Sequence, residues 1–193
     1  MVYLCITIHF CTLTVRNNLK PIDMNKIILT LISIIFACNS ILGQTTDEKY
    51  SEDVQSVDAI IKAYYDVASG SSSDPWEFER DTYTHSKNAQ IIFLDENGKA
   101  DLVKLEVLQN QLRMSERKDF YEKELKRKVS QFGNIVQVWS AYEMRDEPET
   151  STNKRALVSI QLHYEQGRWW IDGWTNQNET DQNSIVTKFL TKE

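Results

Sequence analysis

Cysteine is scarce in this chain of 193 residues, and residues 44–193 contain none. Cys5, Cys11 and Cys38 all precede residue 44, so the remainder has no thiol for catalysis or metal binding and needs no disulfide bond. Histidine is nearly as rare, and His85 and His163 have no metal-ligating neighbours at a suitable spacing. No phosphate-binding loop and no nucleophile motif occurs in the sequence. These absences predict neither a metal nor a cofactor.

Basic residues are outnumbered, with 22 Lys and Arg against 28 Asp and Glu, which gives a net charge of −6. This charge argues against non-specific binding to nucleic acid or to anionic membranes, because both need a basic surface. Residues 44–193 form a segment that suits one domain with a single core. We therefore expect no nucleic-acid partner, and a membrane partner only if Cys38 is lipidated.

An apolar run, Ile27–Ala37, follows a short basic start. This order predicts a secretory signal peptide over residues 24–43, and hence a periplasmic or secreted protein that begins at Gln44. Residues 1–23 would then be an extension of the gene model before the true start. Two alternatives stay open, a lipoprotein anchored at Cys38 and a retained anchor, although the run is shorter than the roughly 20 residues that a span needs.

Helical periodicity characterises the first half of the domain. We expect one helix over Ser51–Ala68 with Ser51 as its N-cap, and a third helix over Glu106–Arg117. Between them, Asp74-Pro75-Trp76-Glu77 is typical of a capping box with proline in the first turn, and predicts a short second helix. The expected inward residues are Val57, Ile60, Ile61, Tyr64 and Ala68 in the first helix, and Leu105, Leu108, Leu112 and Met114 around the third.

Strands follow, first as two short segments over Gln90–Phe93 and Asp101–Lys104, and then as two long β-hairpins. The first hairpin covers Phe120–Arg145 and turns at Gly133-Asn134, a two-residue type that suits tightly paired strands. This turn pairs Phe132 with Ile135, Val129 with Val138 and Leu125 with Tyr142. The alternation puts Leu125, Val129, Val136, Val138 and Tyr142 on one face, and Lys126, Lys128, Ser130, Gln137 and Trp139 on the other.

The second hairpin covers Arg155–Glu179, and its turn admits two registers. A three-residue turn, Glu165-Gln166-Gly167, closed by a glycine bulge is favoured, and it places Trp170, Asp172 and Trp174 on the face of Val158, Ile160 and Leu162. A two-residue turn at Gln166-Gly167 would instead place Trp169 and Ile171 there. The choice decides whether Asp172 faces the core.

Four segments carry a resemblance to a known family: Ala63–Val67, Phe132–Ile135, Ser159–Leu162 and Arg168–Ile171. Over roughly Asp53 to Leu190 the chain resembles the nuclear transport factor 2-like superfamily, which includes SnoaL-like proteins and ketosteroid isomerase, and within it a secreted bacterial branch. The resemblance implies an α+β cone, in which N-terminal helices pack on a curved antiparallel sheet around a conical pocket. It also implies a homodimer formed through the sheet. The branch tends to have proline where this chain has Ser86, and the fold alone specifies no reaction.

Asp172 is the main catalytic candidate. Between Trp170 and Trp174 a carboxylate would be desolvated, and it could then act as a general base on a carbonyl compound. Tyr142 or Tyr64 could donate a proton to the resulting enolate. The alternative is that Asp172 faces solvent or pairs with a basic side chain.

His85 is a second catalytic candidate, as the base of a SnoaL-like site, and its alternative is a helix-end histidine bonded to the backbone. His163 is expected on the outer face. Aromatic residues are plentiful, and by default they form the core and an interface. Those that we expect to line a pocket for a small apolar ligand are Tyr64, Trp76, Phe120, Trp170 and Trp174.

Three functional hypotheses follow from these patterns. The favoured one is an exported pocket or interaction module without catalysis. The second is an isomerase, dehydratase or cyclase that acts on a small apolar carbonyl compound with Asp172 as the base. The third is a structural dimer whose cone is filled by side chains.

Overall fold

The computed structural model describes residues 49–150, 152 and 154–191. The predicted signal peptide, the upstream extension and Cys38 lie outside the described residues. Three helices, α1 (Val57–Ala68), α2 (Phe78–Thr84) and α3 (Leu105–Met114), accompany six strands in this part of the chain. The strands are β1 (His85–Leu94), β2 (Ala100–Lys104), β3 (Tyr121–Phe132), β4 (Ile135–Arg145), β5 (Arg155–Glu165) and β6 (Arg168–Asn178). A 3-10 turn at Ser51–Val54 and a π-helical turn at Val186–Leu190 flank them.

The strands form one sheet in the order β2-β1-β6-β5-β4-β3. All neighbours are antiparallel except β1 and β6, which run parallel. The predicted architecture is confirmed, since both long hairpins and the short pair of strands are present.

The core lies between α1 and the inner face of β4, β5 and β6. Ile60 and Ile61 of α1 are fully buried there, against alternate residues of the strands such as Val138 and Ile160. A buried hydrogen bond of 2.7 Å, donated by the Tyr65 hydroxyl to Ser140, ties α1 to β4. On the outer face the last described residues cover Ala141 with Ile185 and Phe189.

The first hairpin has the predicted turn, but its register changes near the base. Phe132 pairs with Ile135 and Val129 with Val138, as expected. The expected pairing of Leu125 with Tyr142 is wrong, because a bulge at Leu125 brings Glu124 opposite Tyr142. An extra residue in one strand reverses the alternation beyond it. Glu122 and Glu124 therefore share the inner face with Tyr142.

The second hairpin has the two-residue turn that was the less favoured alternative. Gln166 and Gly167 both have positive φ, of 53° and 84°, and Glu165 pairs with Arg168. Positive φ at both central residues is the geometry that continues the twist of the strands. Trp169 and Ile171 consequently lie in the core, and the expected inward position of Trp170 and Asp172 is wrong.

A second bulge, in β6, puts Trp174 on the inner face, where the favoured register had also placed it. Leu162 pairs with Ile171 but Gln161 pairs with Gly173, so Asp172 is the extra residue. Beyond it, Trp174 pairs with Ile160 and packs against the core. Gly173 lies so close to β1 that an added Cβ would overlap the backbone of Gln90.

The helix ends differ from prediction in three places. Ser56 caps α1 by accepting a hydrogen bond from the Ala59 amide, while Ser51 belongs to the separate 3-10 turn. The expected capping box is absent from the described start of α2, because Asp74 accepts from the Ser71 amide in the preceding turn instead. Helix α3 ends at Met114 rather than at Arg117, and Met114 is 90% exposed and does not face inward.

We expect Gly173→Ala to lower the free energy of unfolding by about 2–3 kcal/mol, because the methyl group must displace the backbone of β1. Gly133→Ala is the matched control, since Gly133 has a left-handed φ of 57° and open space around it. Its cost should be about 1 kcal/mol from backbone strain alone. Urea unfolding measures both, and equal losses would contradict the close approach.

Candidate functional site

A cavity of about 610 Å³ lies between the inner face of the sheet and the helices, and we call it the cone cavity. Its volume is in the range of small-molecule sites. Most of its lining is apolar, including Leu105, Leu108 and Leu112, which α3 turns toward it as predicted. These leucines border open space rather than other core side chains.

Aromatic rings form the floor of the cavity. Trp174 makes edge-to-face contacts with Tyr64 and Phe93, at centroid distances of 5.7 and 5.2 Å. This geometry is the one that ring quadrupoles favour, so the floor is rigid. Trp174 and Tyr64 were both predicted to contact a ligand, and both line the cavity.

Two loops border another part of the cavity and position Trp76 and Phe120. The Arg117 guanidinium lies 4.3 Å from the centre of the Trp76 ring and donates to the carbonyl oxygens of Pro75 and Ser69. An isolated bridge joins Phe120 to the loop that follows α1. Backbone bonds and a cation–π contact therefore hold these two rings in the cavity wall.

A polar cluster interrupts the apolar wall, and it consists of Glu122, Tyr142 and Asn176. The side-chain amide of Asn176 donates a hydrogen bond to the Tyr142 hydroxyl oxygen. Glu122 lies beside this pair in the cavity wall, because its partner across β3 and β4 is Met144, two residues after Tyr142. Three strands, β6, β4 and β3, thus contribute one member each to the cluster.

Burial governs protonation in this cluster. It raises the pKa of Glu122 to about 8, and the neighbouring Tyr142 hydroxyl opposes the shift only in part. Burial also raises the pKa of the Tyr142 hydroxyl. Glu122 consequently holds its proton at neutral pH, where an ordinary carboxyl group is ionised.

Tyr64 supplies a second polar group to the cavity. It is 7% exposed, and within the described residues its hydroxyl has no hydrogen-bond partner. Burial, with the nearby Glu122 carboxylate as the next cause, raises its pKa well above the ordinary value. The hydroxyl therefore remains protonated, and a ligand can accept its hydrogen bond.

Comparison with solved structures identifies the fold. An NTF2-like protein of unknown function from Shewanella baltica superposes with a TM-score of 0.50 at 11% identity, over 72% of this chain and all of the other. The chain has the nuclear transport factor 2-like fold. An NTF2-like protein of unknown function from Pseudomonas aeruginosa reaches 0.48 at 12% identity, over 63% of this chain and 95% of the other. A cystatin-like protein of unknown function from Nostoc punctiforme has the same score and identity, over 63% and 90%.

Comparisons of sequence give no such match. No protein-family model fits the chain, and no curated protein is similar enough to count as a relative. The nuclear transport factor 2-like fold is therefore shown by the structure alone. A fold specifies no reaction, so the chemistry of the cavity depends on its own residues.

His85 lies at the start of β1 in the wall of the cone. It is 3% exposed, and its Nδ1 donates to the backbone carbonyl of Asp81 at 2.8 Å. This is the backbone bond expected of a helix-end histidine. Gln109 of α3 holds the Asp81 carboxylate from the other side, at 2.7 Å. His85 Nδ1 and the Asp81 carboxylate in the cavity wall thus have polar partners within the fold, whereas His85 Nε2 is buried without a hydrogen-bond partner among the described residues.

Asp172 and Trp170 are the predicted site residues that do not line the cone cavity. Asp172 lies on the outer face, where both of its carboxylate oxygens are within 2.9 Å of Nδ1 of His163. Trp170 stacks on the Arg168 guanidinium, which also contacts the Tyr83 ring. The alternative expectation for Asp172, pairing with a basic group outside the core, is therefore the observed arrangement.

Sequence reasoning missed Glu122 and Asn176. Period-two alternation from Val129 assigns Glu122 to the outer face, and only the bulge at Leu125 turns it inward. Asn176 lies two residues after Trp174 and therefore on the same face of β6, so the position of Trp174 could have indicated it. Neither residue belongs to a motif that would have marked it.

The described part of the chain contains no cluster of three or more His, Cys, Asp or Glu side chains that could hold a metal ion. None of its helices combines the length and apolar character that crossing a membrane requires.

The raised pKa of Glu122 predicts that the protein loses stability as pH rises. Below pH 4.5, the ordinary pKa of glutamate, the carboxyl group is protonated in both the folded and the unfolded chain. Above that pH only the folded chain keeps the proton. The stability from this group is lost as pH rises toward about 8. Denaturant titrations should show this decline, and Glu122→Gln should flatten it.

Glu106→Gln is the matched control, because Glu106 is an exposed glutamate on α3. Its pH profile should keep the slope of the unaltered protein. A Glu122→Gln profile with the original slope would show that another group causes the decline.

Proposed function

We propose that the protein binds a small, predominantly apolar ligand in the cone cavity. The observation that carries this proposal is the open volume of about 610 Å³, bordered mainly by leucine and aromatic side chains with polar groups among them. An apolar lining releases water when a ligand enters, and a few polar groups fix its orientation. A cone filled by side chains, as in the structural-dimer hypothesis, would leave no such volume.

The polar groups supply the orientation. Tyr64 offers a hydroxyl proton that has no partner in the described residues, and Glu122 offers a carboxyl proton at neutral pH. Their surroundings are apolar, so a hydrogen bond to a ligand is stronger there than in water. Asp81 already contacts His85 Nδ1 and Gln109, whereas His85 Nε2 is a further buried group without a hydrogen-bond partner in the described residues.

Proton transfer on a carbonyl compound is the second candidate function, and the position of Glu122 favours it. A carboxyl group with a pKa of about 8 can exchange a proton near neutral pH. Glu122 thus takes the role that the sequence suggested for Asp172, and Tyr64 or Tyr142 would stabilise the enolate oxygen. Export and pairing of two chains through the sheet stay predictions from the sequence.

Binding is tested with 2-ethylnaphthalene, an apolar probe small enough for the cavity. Isothermal titration calorimetry should show saturable binding with a negative heat-capacity change. Leu108→Trp should weaken binding by at least about tenfold, because the indole occupies the cavity.

Leu102→Trp is the matched control. Leu102 is 55% exposed on β2, so the same substitution there adds bulk outside the cavity and should leave the affinity unchanged. Equal affinity in both variants would place the probe elsewhere and refute binding in the cone.

Catalysis is tested with 3-cyclohexenone, whose isomerisation to the conjugated ketone is followed by ultraviolet absorbance. If Glu122 moves the proton, Glu122→Gln should slow turnover by about 100-fold or more, while Asp172→Asn should leave it unchanged. Turnover that survives Glu122→Gln would remove Glu122 as the base. An inactive parent protein would leave the ligand-binding proposal standing alone.

A further inference from the structure

A groove of about 460 Å³ is lined by residues of α2, the end of α3 and the start of β6, and we call it the arginine groove. Two arginines and three aromatic residues belong to its lining, namely Arg113, Arg168, Phe78, Tyr83 and Trp170. We propose that this groove binds the carboxylate or phosphate group of a small organic anion, and that Arg113 pairs with this group. Phe78 also lines the cone cavity, but the inference does not depend on ligand binding there.

Arg168 gives the groove a positive charge in a fixed position. Its guanidinium carbon lies 3.9 Å from the centre of the Tyr83 ring and 3.7 Å from the centre of the Trp170 ring. The guanidinium also donates a hydrogen bond to the backbone carbonyl of Tyr83. Two aromatic rings and a backbone acceptor therefore hold this charge at the wall of the groove.

Arg113 is the arginine that has donors to offer. Its guanidinium carbon lies 4.3 Å from the centre of the Phe78 ring, and it has neither an ion pair nor a hydrogen bond within the described residues. Arg80 and Arg127, by contrast, are paired with carboxylates. A guanidinium has five N–H donors in one plane, and contact with an aromatic ring leaves them without an acceptor. Arg113 can therefore donate two parallel hydrogen bonds to a carboxylate or a phosphate.

The balance of charge favours an anion in the groove. Its lining has two guanidinium groups and one carboxylate, that of Glu79, and the Lys49 ammonium lies 3.6 Å from this carboxylate. The lining of the cone cavity has the opposite balance, with four acidic residues and one lysine. Because the whole chain has a net charge of −6, this local excess of positive charge would direct an anion to the groove.

The aromatic residues of the groove indicate that the ligand extends beyond its charged group. Phe78, Tyr83 and Trp170 are half-buried, so each keeps some apolar surface exposed. The apolar part of a ligand whose charged group is at Arg113 would cover this surface. An aromatic acid or a phosphate ester of similar size therefore suits the groove better than inorganic phosphate.

Benzoate and phenyl phosphate are the probes that test the arginine groove, and benzamide is their uncharged counterpart. Isothermal titration calorimetry at about 0.01 M salt, where screening is weak, should show saturable binding of at least one anion. Its affinity should exceed that of benzamide by about tenfold or more, and it should fall at about 0.15 M salt. The anion that binds more tightly identifies the charged group that the groove prefers.

Arg113→Gln should weaken binding of that anion by about tenfold or more, because the amide has neither the charge nor the paired donors. Arg113 is exposed, so the substitution removes no core contact. Lys104→Gln is the matched control. Lys104 is an exposed residue at the end of β2 that does not line the groove, so this variant loses the same charge and should keep the affinity.

Leu108→Trp separates the arginine groove from the cone cavity. Leu108 lines the cavity and not the groove, so this variant should keep its affinity for the anion while it loses affinity for 2-ethylnaphthalene. The inference is overturned if neither anion binds more tightly than benzamide, or if Arg113→Gln and Lys104→Gln have the same affinity. It is also overturned if Leu108→Trp abolishes anion binding, since the anion would then occupy the cone. Binding of 2-ethylnaphthalene tests the proposed function independently of each of these results.

Discussion

The close approach of Gly173 to the backbone of Gln90 is the constraint on which the cavity depends. Only a residue without a side chain fits against β1 at this point, and the bulge that puts it there leaves Asp172 on the outer face. Because the bulge reverses the alternation of β6, Trp174 and Asn176 reach the inner face. Without it Trp174 and Asn176 would both face outward.

The bulge at Leu125 has the same consequence on the far edge of the sheet. It turns Glu122 inward, next to Tyr142, into surroundings that raise its pKa to about 8. An isolated charge would be unfavourable there, and the carboxyl group avoids it by keeping its proton. The two bulges together bring Glu122 and Asn176 to the inner face beside Tyr142, where the three form a polar part of the cavity wall.

Much of this fold could be predicted from the sequence, because turns and periodicity are local signals. Gly133-Asn134 marks a two-residue turn, and the inward leucines of α3 follow helical spacing, whereas Glu165-Gln166-Gly167 admitted two registers and the less favoured one is observed. The bulges could not be predicted in the same way, because neither a turn signal nor a periodicity in the sequence marks the inserted residue. The bulge at Leu125 inserts one residue, which is enough to turn Glu122 inward, whereas the two-residue turn of the second hairpin leaves Asp172 on the outer face.

The contacts of α3 relate ligand binding to stability. Its three inward leucines are half-buried and border the cavity, so a ligand in the cone would remove more of their apolar surface from water. Its buried residue is Gln109, whose amide donates to the Asp81 carboxylate and to Thr82 on α2. These polar contacts fix α3 to α2, and ligand contacts with the leucines would stabilise the same helix from its apolar side.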